Sequence, residues 1–108
     1  MLSKNVKLVI FSPINSSDGI RKVLGELGAG IIGNYDFCSF SSIGTGRFRG
    51  NKESNPAIGK AEVLEEVQEE RIEVIVSREI IKKVVEEVKK VHPYEEMAYD
   101  IYSLEDLD

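Results

Sequence analysis

The chain has 108 residues, 42% of them apolar, and its 19 acidic side chains against 14 basic ones leave a net charge of −5. This length and composition fit one globular domain spanning residues 1–108, which can bury roughly two thirds of its unfolded surface without disulfides or a structural metal. The charge balance excludes the broad basic field that binds a phosphate backbone, and no apolar run approaches the about 20 residues that cross a bilayer; neither nucleic acid nor membrane is an expected partner.

Residues 6–12 are a nearly continuous apolar run with β-branched members, Val6-Lys7-Leu8-Val9-Ile10-Phe11-Ser12, which reads as a strand covered on one or both faces. Ser16 or Ser17 then offers a hydroxyl to the free amides of a helix whose apolar stripe is Ile20, Val23, Leu24 and Leu27. Gly28 and Gly30 end that helix, because glycine tolerates the left-handed turn that closes it. Asp36 to Arg49 and Ala61 to Val76 read as two extended segments joined by the polar stretch Gly50 to Gly59, a long antiparallel hairpin with a loose tip. Cys38 falls in the first segment. With no second cysteine to pair with and no leader-like start to the chain, it reads as a small packed side chain in a reducing cytoplasm.

A second helix shows the clearest pattern, with Ile80, Ile81, Val84, Val85, Val88 and Val91 on one face. Ser77 is its expected cap, Glu79/Lys83 and Glu86/Lys90 its expected charge pairs, and Pro93 stops it near Val91. Strand and helix signals are moreover duplicated. Val6 to Ser12 aligns with Arg71 to Ser77 at an offset of 65, and Asn34 to Phe40 aligns with Ala98 to Leu104 at an offset of 64. The resulting order is βαββαβ, an α+β ferredoxin-like sandwich: a four-stranded antiparallel sheet with strands 1 and 3 central and both helices on one face. The polar strands 2 and 4 suit the edges. In this topology the turn Pro13 to Ser17, the hairpin tip and the turn His92 to Met97 share one end of the sheet, and Gly28 to Gly33 lies at the other.

His92-Pro93-Tyr94-Glu95-Glu96 is the densest cluster of reactive groups. His92, Glu95 and Glu96 form a candidate divalent-metal set of nitrogen and oxygen donors, although a histidine just past a helix end more often serves that helix's last carbonyls and adjacent carboxylates in a turn seldom reach one ion. Gly44-Thr45-Gly46-Arg47-Phe48-Arg49 could offer amides and the guanidiniums of Arg47 and Arg49 to an anion. It lacks the lysine and following helix of a phosphate-binding loop, and its glycines suit a bent edge or interface strand better. Tyr35 and Tyr99 stand at equivalent places in the two copies, which points to packing at strand starts.

Five stretches resemble the inserted domain of the NGG-interacting-factor (Nif-three-like) family: Ile32-Gly33-Asn34-Tyr35-Asp36, Cys38-Ser39-Phe40, Gly44-Thr45-Gly46-Arg47-Phe48, Asn55-Pro56-Ala57-Ile58-Gly59 and His92-Pro93-Tyr94-Glu95-Glu96-Met97-Ala98-Tyr99-Asp100. The likeness runs in order over almost the whole chain. Met97 departs from it, standing where the family commonly has proline. The resemblance implies a PII/CutA-like fold and a homotrimer built on edge strands and the long hairpin. Longer members carry a paired-metal site in flanking halves and are labelled cyclohydrolase-like; with one histidine and none of those halves, this sequence does not assemble that site, and no nucleophile with a base and an orienting group is visible. The expected function is a non-enzymatic small-molecule-binding or regulatory module that works as a homo-oligomer, with a pocket between subunits near His92, Glu95, Glu96 and the loops at that end, its ligand-binding residues being His92, Tyr94, Glu95, Glu96, Arg47 and Arg49. A CutA-like divalent-metal-binding protein and a structural partner of a larger protein are the alternatives.

Overall fold

A computed structural model describes all residues, 1–108. Its elements follow in the order β1 (Leu2–Pro13), a 3-10 turn (Ile14–Ser16), α1 (Ser17–Glu26), β2 (Phe40–Phe48), β3 (Glu65–Ser77), α2 (Ile81–Val91) and β4 (Tyr99–Glu105). The sheet order is β2-β3-β1-β4 and every pairing is antiparallel. The two apolar strands are central and the two polar ones are edges, as their composition requires.

Register fixes which side chains meet the helices. Val6, Leu8 and Ile10 stand opposite Val76, Val74 and Ile72, and these six form one core with Ile20 and Leu24 of α1 and Val84, Val85 and Val88 of α2. Both helices therefore cover the same face. Each of these side chains contributes about 1.5–3 kcal/mol by leaving water, and a one-residue slip of β1 would turn its whole apolar set outward. Beside this core the Glu70 carboxylate is 9% exposed. It is held by Arg21 of α1, which also binds Asp18 at 2.6 Å and the Ser41 hydroxyl at 3.2 Å, so the one acidic group buried on the helix face is paired, as burial demands.

The other sheet face carries a linked set of charged and aromatic groups. Arg71 lies 5.6 Å from the Phe11 ring centre, donates to the Tyr102 hydroxyl at 3.4 Å and pairs with Glu73 at 3.6 Å, while Lys7 reaches Glu73 at 4.0 Å.

Several local expectations are corrected. Neither helix has a side-chain cap bond. Ser16 already sits in a helical conformation because the 3-10 turn feeds directly into α1, and the Ser17 hydroxyl turns back to the Pro13 carbonyl at 3.5 Å. Ser77 closes a turn ahead of α2, its hydroxyl accepting from the Glu79 amide at 3.2 Å. On α2 Lys90 pairs with Glu87, three residues before it, at 3.2 Å. The first hairpin strand begins at Phe40, four residues later than expected, since residues 30–38 form a loop anchored by Gly30 N–H to the Ile75 carbonyl at 2.7 Å and Cys38 N–H to the Gly30 carbonyl at 2.9 Å. Cys38 thus lies in that loop and is half-buried, not packed in a strand. Tyr99 packs against the core, but Tyr35 is 75% exposed.

The hairpin projects beyond the helices, giving extents of 49 × 26 × 24 Å. The radius of gyration, 15.0 Å, exceeds the about 13 Å of a compact chain of this length. Only 20 of the 108 residues are buried, and much apolar side chain remains at the surface.

Candidate functional site

The end of the sheet where β1 finishes and β4 starts is tied together by one histidine. Pro93 halts α2, and His92 leaves the helix in an extended conformation. Its imidazole is 7% exposed: Nε2 donates to the Phe11 carbonyl at 2.8 Å, and Nδ1 accepts the Tyr94 amide at 3.2 Å. That pair of contacts assigns the neutral Nε2–H tautomer. The Phe11 amide in turn donates to the Ala98 carbonyl at 3.1 Å, closing the turn between α2 and β4. With both ring nitrogens used inside the fold, the imidazole is a brace.

The candidate metal set from the sequence is corrected accordingly. His92, Glu95 and Glu96 do not converge, and no three metal-binding side chains of the chain gather at one point. The reason is directional: the imidazole faces inward to β1 with both nitrogens engaged, whereas Glu95 and Glu96 are exposed at the rim of a neighbouring cavity.

What the turn does build is a cavity of about 270 Å³ against the hairpin. Phe48 and Tyr94 line it with their ring centres 6.2 Å apart, and the Tyr94 ring stands edge-on to His92 at 5.0 Å. Pro56, Ala57 and Ile58 of the hairpin loop supply another apolar wall. That loop is fastened across the opening by the Asn55 amide, which donates to Glu95 Oε2 at 2.7 Å. Of the residues expected to bind a ligand, Arg47, Arg49, Tyr94, Glu95 and Glu96 all line the cavity, and His92 sits behind Tyr94 without lining it. Arg47 is paired with Glu66 at 3.2 Å. The Pro13 to Ser17 turn shares this end of the sheet but stays out of the cavity lining.

Glu69 was not legible as a site residue. It lies on β3 opposite Gly44, and its carboxylate occupies the space where a side chain at Gly46 would stand. The glycines of β2 are thus neither a phosphate loop nor a bulge: Gly46 lets a carboxylate fold across the strand into the cavity, a close approach that only glycine permits. The signal was present in the sequence as a glycine in a strand, but naming its occupant needed the register. The Tyr94 hydroxyl is beside that carboxylate, buried and without a well-formed hydrogen bond. Burial, and secondly the neighbouring Glu69 carboxylate, raise its pKa above the ordinary tyrosine value, so it stays a neutral donor.

A four-stranded antiparallel sheet with two helices on one face and a long protruding hairpin defines a CutA-like member of the ferredoxin-like class. Solved structures agree: a CutA protein from Archaeoglobus fulgidus, called a periplasmic divalent cation tolerance protein, superposes with TM-score 0.68 over 94% of this chain and 85% of its own, at 20% identity. That degree of identity establishes the fold. A Bacillus cereus protein related to NIF3 superposes with TM-score 0.80 at 40% identity, covering 98% of this chain but 27% of that one. The GTP cyclohydrolase 1 type 2 homolog of Halalkalibacterium halodurans is 51% identical over 98 residues, 91% of this chain and 26% of the relative, and that of Bacillus subtilis is 42% identical over 99 residues. No family-wide profile matches the chain. The chain is homologous to a stretch of these relatives, the NIF3-related protein among them, and spans about a quarter of their length.

Proposed function

We propose that this chain is a small-molecule-binding or regulatory module that works in the cytoplasm as a homo-oligomer, a trimer being the favoured form, with its ligand site in the cavity between the hairpin loop and the His92–Ala98 turn. The observation that carries this is the loop's attachment: closed at its base by the Glu62 amide on the Gly50 carbonyl, it reaches the His92–Ala98 turn through one charge-assisted bond, Asn55 amide to Glu95, beside a cavity lined by two aromatic rings. A wall held by one such contact is easily remodelled. Apolar walls with a few polar groups are what a small-molecule site is made of. Arg47, Arg49, Tyr94, Glu95 and Glu96 are the residues assigned to contact the ligand, with His92 as the brace that sets Tyr94.

Assembly is supported by what the isolated chain leaves bare. β2 is an edge strand with Phe40 and Ile43 exposed, and Ile31, Ile32, Tyr35 and Phe37 are exposed in the loop that precedes it. Unpaired edges and contiguous apolar surface are features that assembly covers. No helix is long and apolar enough to cross a membrane, and the acidic balance disfavours nucleic acid. The divalent-cation reading has no donor trio behind it here.

The test combines light scattering after size exclusion with thermal-shift screening of the untagged chain against a metabolite library. A particle of three chain masses, and at least one compound that raises the melting temperature and loses that effect in Tyr94→Ala, are the expected results. A monomer at micromolar concentration would remove the assembly half, and uniformly flat shifts the ligand half.

A further inference from the structure

We infer that the cavity selects an organic ammonium ion with an apolar body, an inference that rests on the ligand site proposed above and specifies its chemistry. Five charged groups line the cavity: Glu69, Glu95, Glu96, Arg47 and Arg49. Arg47 is neutralised by Glu66 at 3.2 Å, whereas none of the other four takes part in an ion pair. Carboxylates therefore outnumber the one uncompensated guanidinium, and the local field favours a cation.

Placement matters more than the count. Glu69 is half-buried and reaches the cavity because Gly46 has no side chain; any Cβ there would coincide with its carboxylate. Next to it is the buried Tyr94 hydroxyl, which faces that carboxylate without a well-formed hydrogen bond, a condition that a bound polar group relieves. The rings of Phe48 and Tyr94, both part of the lining, complete the set, since a desolvated ammonium is attracted to aromatic rings as well as to a carboxylate. Phe48, Pro56, Ala57 and Ile58 then cover the body of the molecule. A bare inorganic cation would leave these apolar walls unused.

The test is a titration of the full chain, followed by backbone amide NMR, with benzylammonium, benzyl alcohol, benzoate and methylammonium at low salt and pH 7. Benzylammonium is expected to shift amides around Glu69, Tyr94 and Ala57 and to bind about tenfold more tightly than benzyl alcohol, the difference expected of one charged hydrogen bond. Methylammonium should bind more weakly still. Glu69→Gln should erase the preference for the ammonium over the alcohol while its thermal melt stays that of the parent, and Gly46→Ala should do the same by displacing Glu69. Equal binding of the alcohol, or stronger binding of benzoate, would overturn the cation assignment and leave the ligand site standing. If no probe shifts a lining residue, the ligand site itself falls, and this inference with it.

Discussion

The two copies of the strand-helix-strand unit differ most where helix gives way to strand. In the first, α1 is followed by residues 27–39, a long glycine-bearing loop with Ile31, Ile32, Tyr35 and Phe37 exposed. In the second, α2 is followed by the seven residues His92–Ala98, tight, polar and braced by a buried imidazole. Because β1 and β3 pair antiparallel, these equivalent connections end up at opposite ends of the sheet. Duplication thus supplied one scaffold with two poles. One pole holds a cavity with charged groups, the other exposed apolar side chains, and one core supports both.

The comparison is broken most severely by attacking what the copies share. Leu8→Ala leaves a void in the common core and is expected to cost about 2–5 kcal/mol, measured by urea unfolding; both poles should lose protection together, since the core residues of both helices form one cluster. His92→Ala should be next, at roughly 2–3 kcal/mol, because the Phe11 carbonyl and Tyr94 amide lose their buried partner. By calorimetry that is a fall in melting temperature of about 10–20 °C. Amide exchange should open at residues 93–98 and remain as in the parent at residues 30–38.

A smaller effect sharpens the other pole. The Phe37 ring occupies the space above Gly25 of α1, so Gly25→Ala should destabilise the parent but stabilise a Phe37→Ala background by about 0.5–1 kcal/mol through helix propensity. A double-mutant cycle on melting curves reads that change of sign; additive values would show that the ring does not depend on the glycine. The smallest expected effect is that of Glu95→Ala. Under about 1 kcal/mol of global stability is at stake for one exposed hydrogen bond, yet the Asn55 amide should lose its protection from exchange, while the amides of residues 30–38 keep theirs.

Much of the fold was legible because it depends on period and punctuation. Apolar runs at Val6–Ile10 and Ile72–Val76 marked the two strands that a sheet must bury, and the α2 stripe followed from 3.6-residue spacing alone. Pro93 stopped the helix where expected. The local chemistry of the ends was less legible. Ser16 and Ser77 carry capping side chains, but the turns that precede each helix had already placed their backbones otherwise. Cys38 looked like a strand residue because its neighbours alternate; the anchoring of Gly30 to Ile75 pulled the segment into a loop. In the candidate site, the turn at His92–Glu96 was evident from composition, and its meeting with the hairpin followed from topology. The inward direction of the imidazole, which dissolves the metal set, was not.

By itself the sequence determined the duplicated unit, its sheet order and the pole at which reactive groups collect, since hydrophobic periodicity and antiparallel pairing leave few arrangements that bury both apolar strands. Only the tertiary structure decided what those groups do. Glu69 enters the cavity because strand register sets it across from a glycine-bearing stretch, and His92 is withdrawn because a carbonyl five elements away in the chain lies within reach of its ring. Side-chain direction depends on contacts between residues remote in sequence, and local pattern carries no record of them.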